Sequence, residues 1–150
     1  MIQEITSIET FVVRHPVLRP GKPITACHFD GDDASTTKHF GYFDNQTLVG
    51  VVSVLEQKTT VFTSKKQLQI RGMAVLETHR NKNIGKKLLL HCEEYAKKRK
   101  FEILWFNARL VAVPFYEKSG YIKIGKPFEI KEIGTHYLLF KDVNRNRFSD

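Results

Sequence analysis

Leu68-Gln-Ile-Arg-Gly-Met-Ala-Val-Leu76, followed closely by Arg80-Asn-Lys-Asn-Ile-Gly85, decides the fold of this chain. The first segment is apolar and rich in β-branched residues, which reads as a strand. The second carries amides and a glycine and runs straight into a helical pattern over residues 84–98. A strand that turns directly into a helix leaves several backbone N–H groups unpaired at one point, and the helix dipole adds positive character there. Such a start attracts phosphate. Taken alone, the stretch reads equally well as an ordinary surface connection. Gly72 lies inside the strand, where a glycine marks a bulge or a packing position. Its place just ahead of a phosphate-type turn favours the bulge.

Working outward, Ile84, Leu88, Cys92, Tyr95 and Ala96 form one stripe of the helix, widened by Leu89 and Leu90. Glu93–Lys97 and Glu94–Lys98 are outward i,i+4 pairs in the favourable order. Residues 101–106 read as a continuous apolar strand buried on both faces and parallel to 68–75, which completes a β-turn-α-β unit. Residues 107–118 begin Asn-Ala-Arg and become a short helix, with Pro114 placed at a first turn or a kink. Gly120 ends it. A strand over 121–124, a charged turn region over 126–134, a final strand over 136–141 and a frayed polar tail over 142–150 follow.

Upstream, residues 1–5 read as a short strand or as the lead-in to a helix. Ile5, Ile8, Val12 and Val13 recur at helical spacing, so a helix to about His15 is expected, with Pro16 ending it. Asp30-Gly31-Asp32-Asp33 is an acidic turn that lacks the alternating ligands and distal glutamate of a calcium loop. A hairpin is expected from residues 38–43 and 48–55 around an Asp44-Asn45-Gln46 turn, with Val61-Phe62 extending the sheet.

A chain of 150 residues, 41% hydrophobic and 11% aromatic, has the core for one domain over 1–150 and is not disordered. It carries no apolar run of membrane-spanning length and no leader pattern, so a cytoplasmic protein is expected. Cys27 and Cys92 show no motif spacing and read as free thiols. The net charge of +8 is spread over several tracts rather than gathered into a nucleic-acid motif. By itself it is compatible with nucleic acid, an anionic membrane or a polyanionic small molecule and decides nothing; taken with the rest of the chain, no nucleic-acid or membrane partner is expected. No metal site is expected either.

Two separated motifs then coincide. Arg80-Asn81-Lys82-Asn83-Ile84-Gly85 resembles the Q/R-x-x-G-x-G/A pyrophosphate loop of the GNAT N-acetyltransferase superfamily. Some thirty residues on, Phe115-Tyr116-Glu117-Lys118-Ser119-Gly120-Tyr121 resembles the F/L-Y-e-k-x-G-F signature of the same superfamily. The glutamate-containing turn before Gly134-Thr135-His136 is similar to the ElaA-type branch. Asn83 stands where the first loop glycine is usual, and asparagine enters the left-handed region readily enough to keep the loop conformation.

The resemblance implies an α+β, three-layer acyl-CoA N-acyltransferase fold. Its sheet would be mixed and mostly antiparallel, of six to seven strands, flanked by helices and containing a splayed parallel pair. It further implies transfer of an acetyl group from acetyl-CoA to a primary amine of a small molecule or protein, by direct attack without a covalent enzyme intermediate. The pyrophosphate would rest on N–H groups of Asn81, Lys82, Asn83, Ile84 and Gly85, with Arg80, Lys82, Lys86 and Lys87 nearby. The pantetheine arm would pair along Met73, Ala74 and Val75 like an added strand. Tyr116 would protonate the departing thiolate. His136 and His39 are candidate bases, with Glu129 and the 30–33 loop behind them, and ordered water is an alternative. Arg14, Arg71 and Arg109 are candidates for an anionic part of the acceptor. A non-catalytic acyl-CoA-binding module is the alternative function, and the assembly is expected to be a monomer or a homodimer.

Overall fold

The computed structural model describes residues 1–144. Seven strands are hydrogen-bonded in the order β1-β2-β3-β4-β5-β7-β6. They are β1 Ile2–Ile5, β2 Lys38–Asp44, β3 Thr47–Leu55, β4 Gln67–Val75, β5 Ile103–Arg109, β6 Ile122–Ile130 and β7 Gly134–Asp142. The helices are α1 Phe11–Leu18, α2 Ile84–Lys98 and α3 Val113–Lys118. The sheet is mixed: β4 and β5 run parallel, with ladder pairs Gln67–Ile103, Leu68–Leu104 and Gln69–Trp105, whereas β1–β2, β2–β3, β5–β7 and β6–β7 are antiparallel. This is the expected fold class.

The chain divides into two compact units, Met1–Glu56 with Ile70–Tyr95, and Gln57–Gln69 with Ala96 onward. In the first unit, β3 is apolar along almost its whole length and buried from Val49 to Leu55. A strand with both faces covered reads as a run rather than an alternation. Ile5, Val13, Val51 and Ala74 form a shared core against which Val17, Leu18, Phe43, Leu48 and Leu76 pack. The α2 helix lies close on β3 because position 50 is glycine: a Cβ there would come within 2.9 Å of Ile84 Cγ2 and 3.1 Å of Leu88 Cδ1. The hairpin turn places Asn45 and Gln46 at φ 48° and 72°, the left-handed pair that matches the strand twist.

The start of the chain settles one open reading and corrects two others. Residues 2–5 form a strand, and the helix starts later, through a 3-10 turn at Ile8–Thr10. Pro16 does not stop α1 but sits inside it. Its ring costs the bond to the Val12 carbonyl, and Val12 is 61% exposed, so water can take that carbonyl. The tail expected to fray from 142 is held at its start, where Asp142 ends β7 and buried Val143 donates its N–H to Glu102 O at 3.0 Å, and beyond residue 144 it lies outside the described residues.

In the second unit the departures are larger. Val61 and Phe62 form no strand; the Phe62 ring instead packs on Phe140 with centroids 5.0 Å apart. Phe101 closes α2 rather than opening β5: its N–H donates to Ala96 O at 2.9 Å, past Lys100 at φ 63°. β5 therefore starts at Ile103 and continues to Arg109. The charged stretch expected as a turn is the second half of β6, which passes an irregularity between Ile124 and Phe128. Gly125 and Pro127 read as turn residues, but an edge strand needs neither an unbroken ladder nor an apolar face.

Candidate active site

The first unit carries the strand–loop–helix segment. Gly72 has φ 66° within β4, so the glycine takes a backbone conformation that other residues adopt at a cost. Its Hα side faces Phe29 and Arg14: a Cβ would lie 3.3 Å from Phe29 Cε2 and 3.4 Å from Arg14 Nε. Beyond it, Ala74 is buried, Met73 and Val75 are half-buried, and Leu76 N–H donates to Val49 O at 2.9 Å. A 3-10 turn, Glu77–His79, then leads into the loop.

Arg80, Asn81, Lys82 and Asn83 are all exposed, and Asn81 and Asn83 adopt φ 64° and 62°. Asn83 thus occupies the left-handed conformation that glycine would, as its side chain allows. Its carbonyl accepts Lys87 N–H at 3.0 Å, so the N–H groups of Ile84, Gly85 and Lys86 precede the first bond of the helical ladder. Ile84 anchors the helix start, being 4% exposed, while Lys86 and Lys87 are exposed. The first turn of α2 contains no acidic residue. A helix start of this kind, flanked by Arg80, Lys82, Lys86 and Lys87, offers N–H donors and positive charge to an anion.

The remaining candidates of the first unit are drawn into a buried network. Arg14 is fully buried and forms an ion pair with Asp32 at 2.6 Å. It also donates to Cys27 O at 2.8 Å and to Ser53 Oγ at 3.0 Å, and its guanidinium stacks over Phe29 at 4.1 Å. Asp32 accepts further bonds from Phe29 N–H at 2.9 Å and Ser7 Oγ at 3.3 Å. Burial pushes the Asp32 carboxyl up, but the bonds from Arg14 and Phe29 N–H, with the Arg14 charge, outweigh it and hold the group below the usual carboxylate range. His39 Nε2 meets Asp32 O at 3.0 Å and Nδ1 meets Ser53 Oγ at 2.6 Å. A carbonyl accepts and never donates, so Nε2 carries the proton and Nδ1 accepts the Ser53 hydroxyl. Both ring nitrogens of His39 are committed. Arg14 and His39 are therefore joined to each other rather than presented to an acceptor. Arg71 donates to Asp30 O at 2.5 Å.

The second unit holds the aromatic motif. Pro114 falls in the first turn of α3, where its missing N–H costs nothing. Tyr116 is half-buried, packed at 4.4 Å from the Phe106 ring and 5.0 Å from Phe115, with Tyr121 at 6.3 Å. Arg109, at the exposed end of β5, is the register partner of His136 on β7. His136 is 5% exposed; its Nδ1 lies 2.8 Å from Gly134 O and its ring stacks on Phe128. The carbonyl makes Nδ1 the protonated nitrogen, which leaves Nε2 as the lone-pair nitrogen of the neutral ring. Glu129 accepts the Thr135 hydroxyl across the β6–β7 ladder. Cys27 and Cys92 are free and buried, and burial pushes both thiols up, away from nucleophilic use.

Asp32, Ser53 and His79 were not singled out in the sequence as partners. The acidic loop was visible, but its partner lies 18 residues away on α1, and no local spacing announces such a pairing. Among the described residues, no group of three or more His, Cys, Asp or Glu side chains could hold a metal ion, and no helix is long and apolar enough to cross a membrane.

The chain is similar to known proteins in sequence and in fold. The model of the acetyltransferase (GNAT) family matches residues 3–121. YitI of Bacillus subtilis (strain 168), described as an uncharacterized N-acetyltransferase, is 32% identical over 146 residues, covering 97% of this chain and 98% of its own. An aminoglycoside 6'-N-acetyltransferase complexed with coenzyme A shares the fold at TM-score 0.76 and 13% identity, covering 95% of this chain and 97% of that one. Escherichia coli ElaA shares it at TM-score 0.71 and 16% identity, with 95% and 99% covered. The chain belongs to the acetyltransferase (GNAT) family and is an acyltransferase.

Proposed function

We propose that this protein, as one acetyltransferase domain, transfers an acetyl group from acetyl-CoA to a primary amine of a small molecule or a protein. The observation that carries this reading is the start of α2, where Asn81 and Asn83 take left-handed backbone, Arg80, Lys82, Lys86 and Lys87 flank the helix start, and the first turn holds no acid. The pyrophosphate accepts N–H bonds there, and the pantetheine arm follows β4 along Met73 to Val75. The amine must arrive neutral, since an alkylammonium has a pKa of about 10.4 and no lone pair to attack with. Its nitrogen bonds to the thioester carbonyl carbon, the C–S bond breaks, and the amine's proton passes to a base. A backbone N–H at Ala74 or Val75 holds the developing oxyanion. Tyr116 donates its proton to the departing CoA sulfur. Among the histidines, His136 is favoured as base over His39, because among the described residues Nε2 of His136 has no hydrogen-bond partner whereas both nitrogens of His39 are bonded. Ordered water is the alternative route for that proton.

Thiol release from acetyl-CoA, measured across a panel of primary amines, tests this reading. Amine-dependent release supports it; CoA binding without release for any amine points to the acyl-CoA-binding module instead.

A stability–function conflict follows from the same geometry. Lysine at a helix N-terminus opposes the dipole and glutamate favours it, by about 0.3–1 kcal/mol each. Lys86→Glu is therefore expected to raise the melting temperature of the free protein while weakening CoA binding by about 10-fold. Calorimetric titration beside a thermal melt reads both, and a variant that loses both would contradict the assignment.

A further inference from the structure

The Arg80–Asn83 loop is exposed, and among the described residues none of its four side chains makes a hydrogen bond or an ion pair. Yet it holds two non-glycine residues at positive φ, and something must fix where it begins. Alternate residues of β2 supply a row of contacts toward α2 and the turn before it. Phe40 meets His91 and Tyr95, with ring centroids 4.5 and 5.6 Å away. Tyr42 lies under Lys87, whose Nζ is 5.7 Å from the ring centroid. Asp44 Oδ2 accepts His79 Nε2 at 2.9 Å. Strand residues two apart share a face, and although the β2–β3 register shifts between Tyr42 and Phe43, the contacts of all three side chains lie toward α2 and the turn before it. This row grips the loop's two flanks, His79 just before Arg80 and Lys87 in the first turn of α2.

His79 is built for that task. The carboxylate of Asp44 makes Nε2 the donor, and Nδ1 then accepts the Thr78 hydroxyl at 2.8 Å. Its backbone N–H donates to Leu76 O at 2.9 Å, and Arg80 N–H donates to Glu77 O at 3.3 Å. The residue preceding the loop is thus held by backbone and side chain together. We infer that His79, anchored by Asp44 on the β2–β3 hairpin, is a positioning residue that sets the start of the pyrophosphate loop for the CoA phosphates; the inference rests on the acetyl-CoA reading above. The pair pre-organises the donors, and an ordered loop binds without the cost of ordering it.

The test titrates CoA into wild type, His79→Ala, Asp44→Ala and the double variant, with His79→Gln as the conservative control. The two side chains are 20% and 46% exposed, positions where alanine is tolerated. Each alanine variant is expected to bind CoA about 10-fold more weakly, and the double variant no more weakly than the worse single. His79→Gln, whose amide can still donate to Asp44, should retain most of the affinity. In steady state the KM for acetyl-CoA rises while kcat holds, a split that a merely structural role would not produce. Wild-type affinity in both alanine variants would overturn the inference, as would losses that multiply in the double variant. If wild type itself gives no binding heat, the acetyl-CoA reading has failed. The positioning role is then judged by amide exchange at residues 81–85 of the free protein, which His79→Ala should accelerate and which an unchanged rate would refute.

Discussion

Tyr116→Phe is expected to cut kcat for thiol release by about 100-fold while leaving CoA affinity and thermal stability near wild type. The reason lies in what the side chain touches. Its ring packs at 4.4 Å on Phe106 and 5.0 Å on Phe115, contacts that phenylalanine keeps. The short helix that carries it is closed by Ser119 N–H and Tyr121 N–H on Tyr116 O, at 3.0 and 3.2 Å, backbone bonds that the substitution does not reach. The exchange therefore keeps the ring packing and the helix-closing backbone bonds and removes the hydroxyl. An interaction made in the transition state lowers kcat and kcat/KM together, whereas one made equally in the ground state raises KM. A Tyr116→Phe enzyme that turns over normally would remove the residue from the chemistry; one that loses CoA affinity would assign it to binding instead.

The second large effect is on stability. Asp32→Ala leaves the Arg14 guanidinium at zero exposure with its principal counter-charge gone. Breaking a buried ion pair from one side costs about 3–5 kcal/mol, because the remaining charge is stranded in a poor solvent. That is a large share of the about 5–15 kcal/mol that holds a typical domain folded. The damage would spread, since Asp32 also receives Phe29 N–H and its own carbonyl accepts His39 Nε2. Denaturant unfolding of Asp32→Ala should show the loss directly, and a change under about 1 kcal/mol would contradict this account of the network.

The same carboxylate ties stability to pH. Its folded-state pKa lies below the ordinary value of 3.8. A depressed carboxyl pKa stabilises the fold fully above the unfolded value and gives that stability up as pH falls through the folded value. The contribution is thus intact at neutral pH and is withdrawn below about pH 4. Asp32→Ala should flatten that part of the acid limb.

How much of this was legible in the sequence follows the range of the interactions. The α2 helix was readable to its residue limits because its stripe repeats locally, and the left-handed Asn83 was readable because few side chains tolerate that backbone. The strand–turn–helix–strand order was equally local. Arg14 and His39 were legible as unusual polar residues but not as partners. Their pairing through Asp32 and Ser53 joins α1, a loop and two strands at separations of 7 to 39 residues. Sequence spacing carries no trace of such contacts. The second half of β6 was missed for a different reason: it is an exposed edge strand containing Gly125 and Pro127, so neither period nor composition marks it. Cross-strand placement also made His136 and Arg109 register partners, which no local pattern announced.

The central claim is that the loop Arg80 to Gly85 and the first turn of α2 hold the pyrophosphate of CoA. Assigned amide spectra of the protein, followed through a titration with CoA, test it most directly. The account predicts saturable binding in which the amides of Asn81, Asn83, Ile84, Gly85 and Lys86 shift most among all residues. Saturable binding that leaves those amides still while others move, or no binding at all, would contradict it.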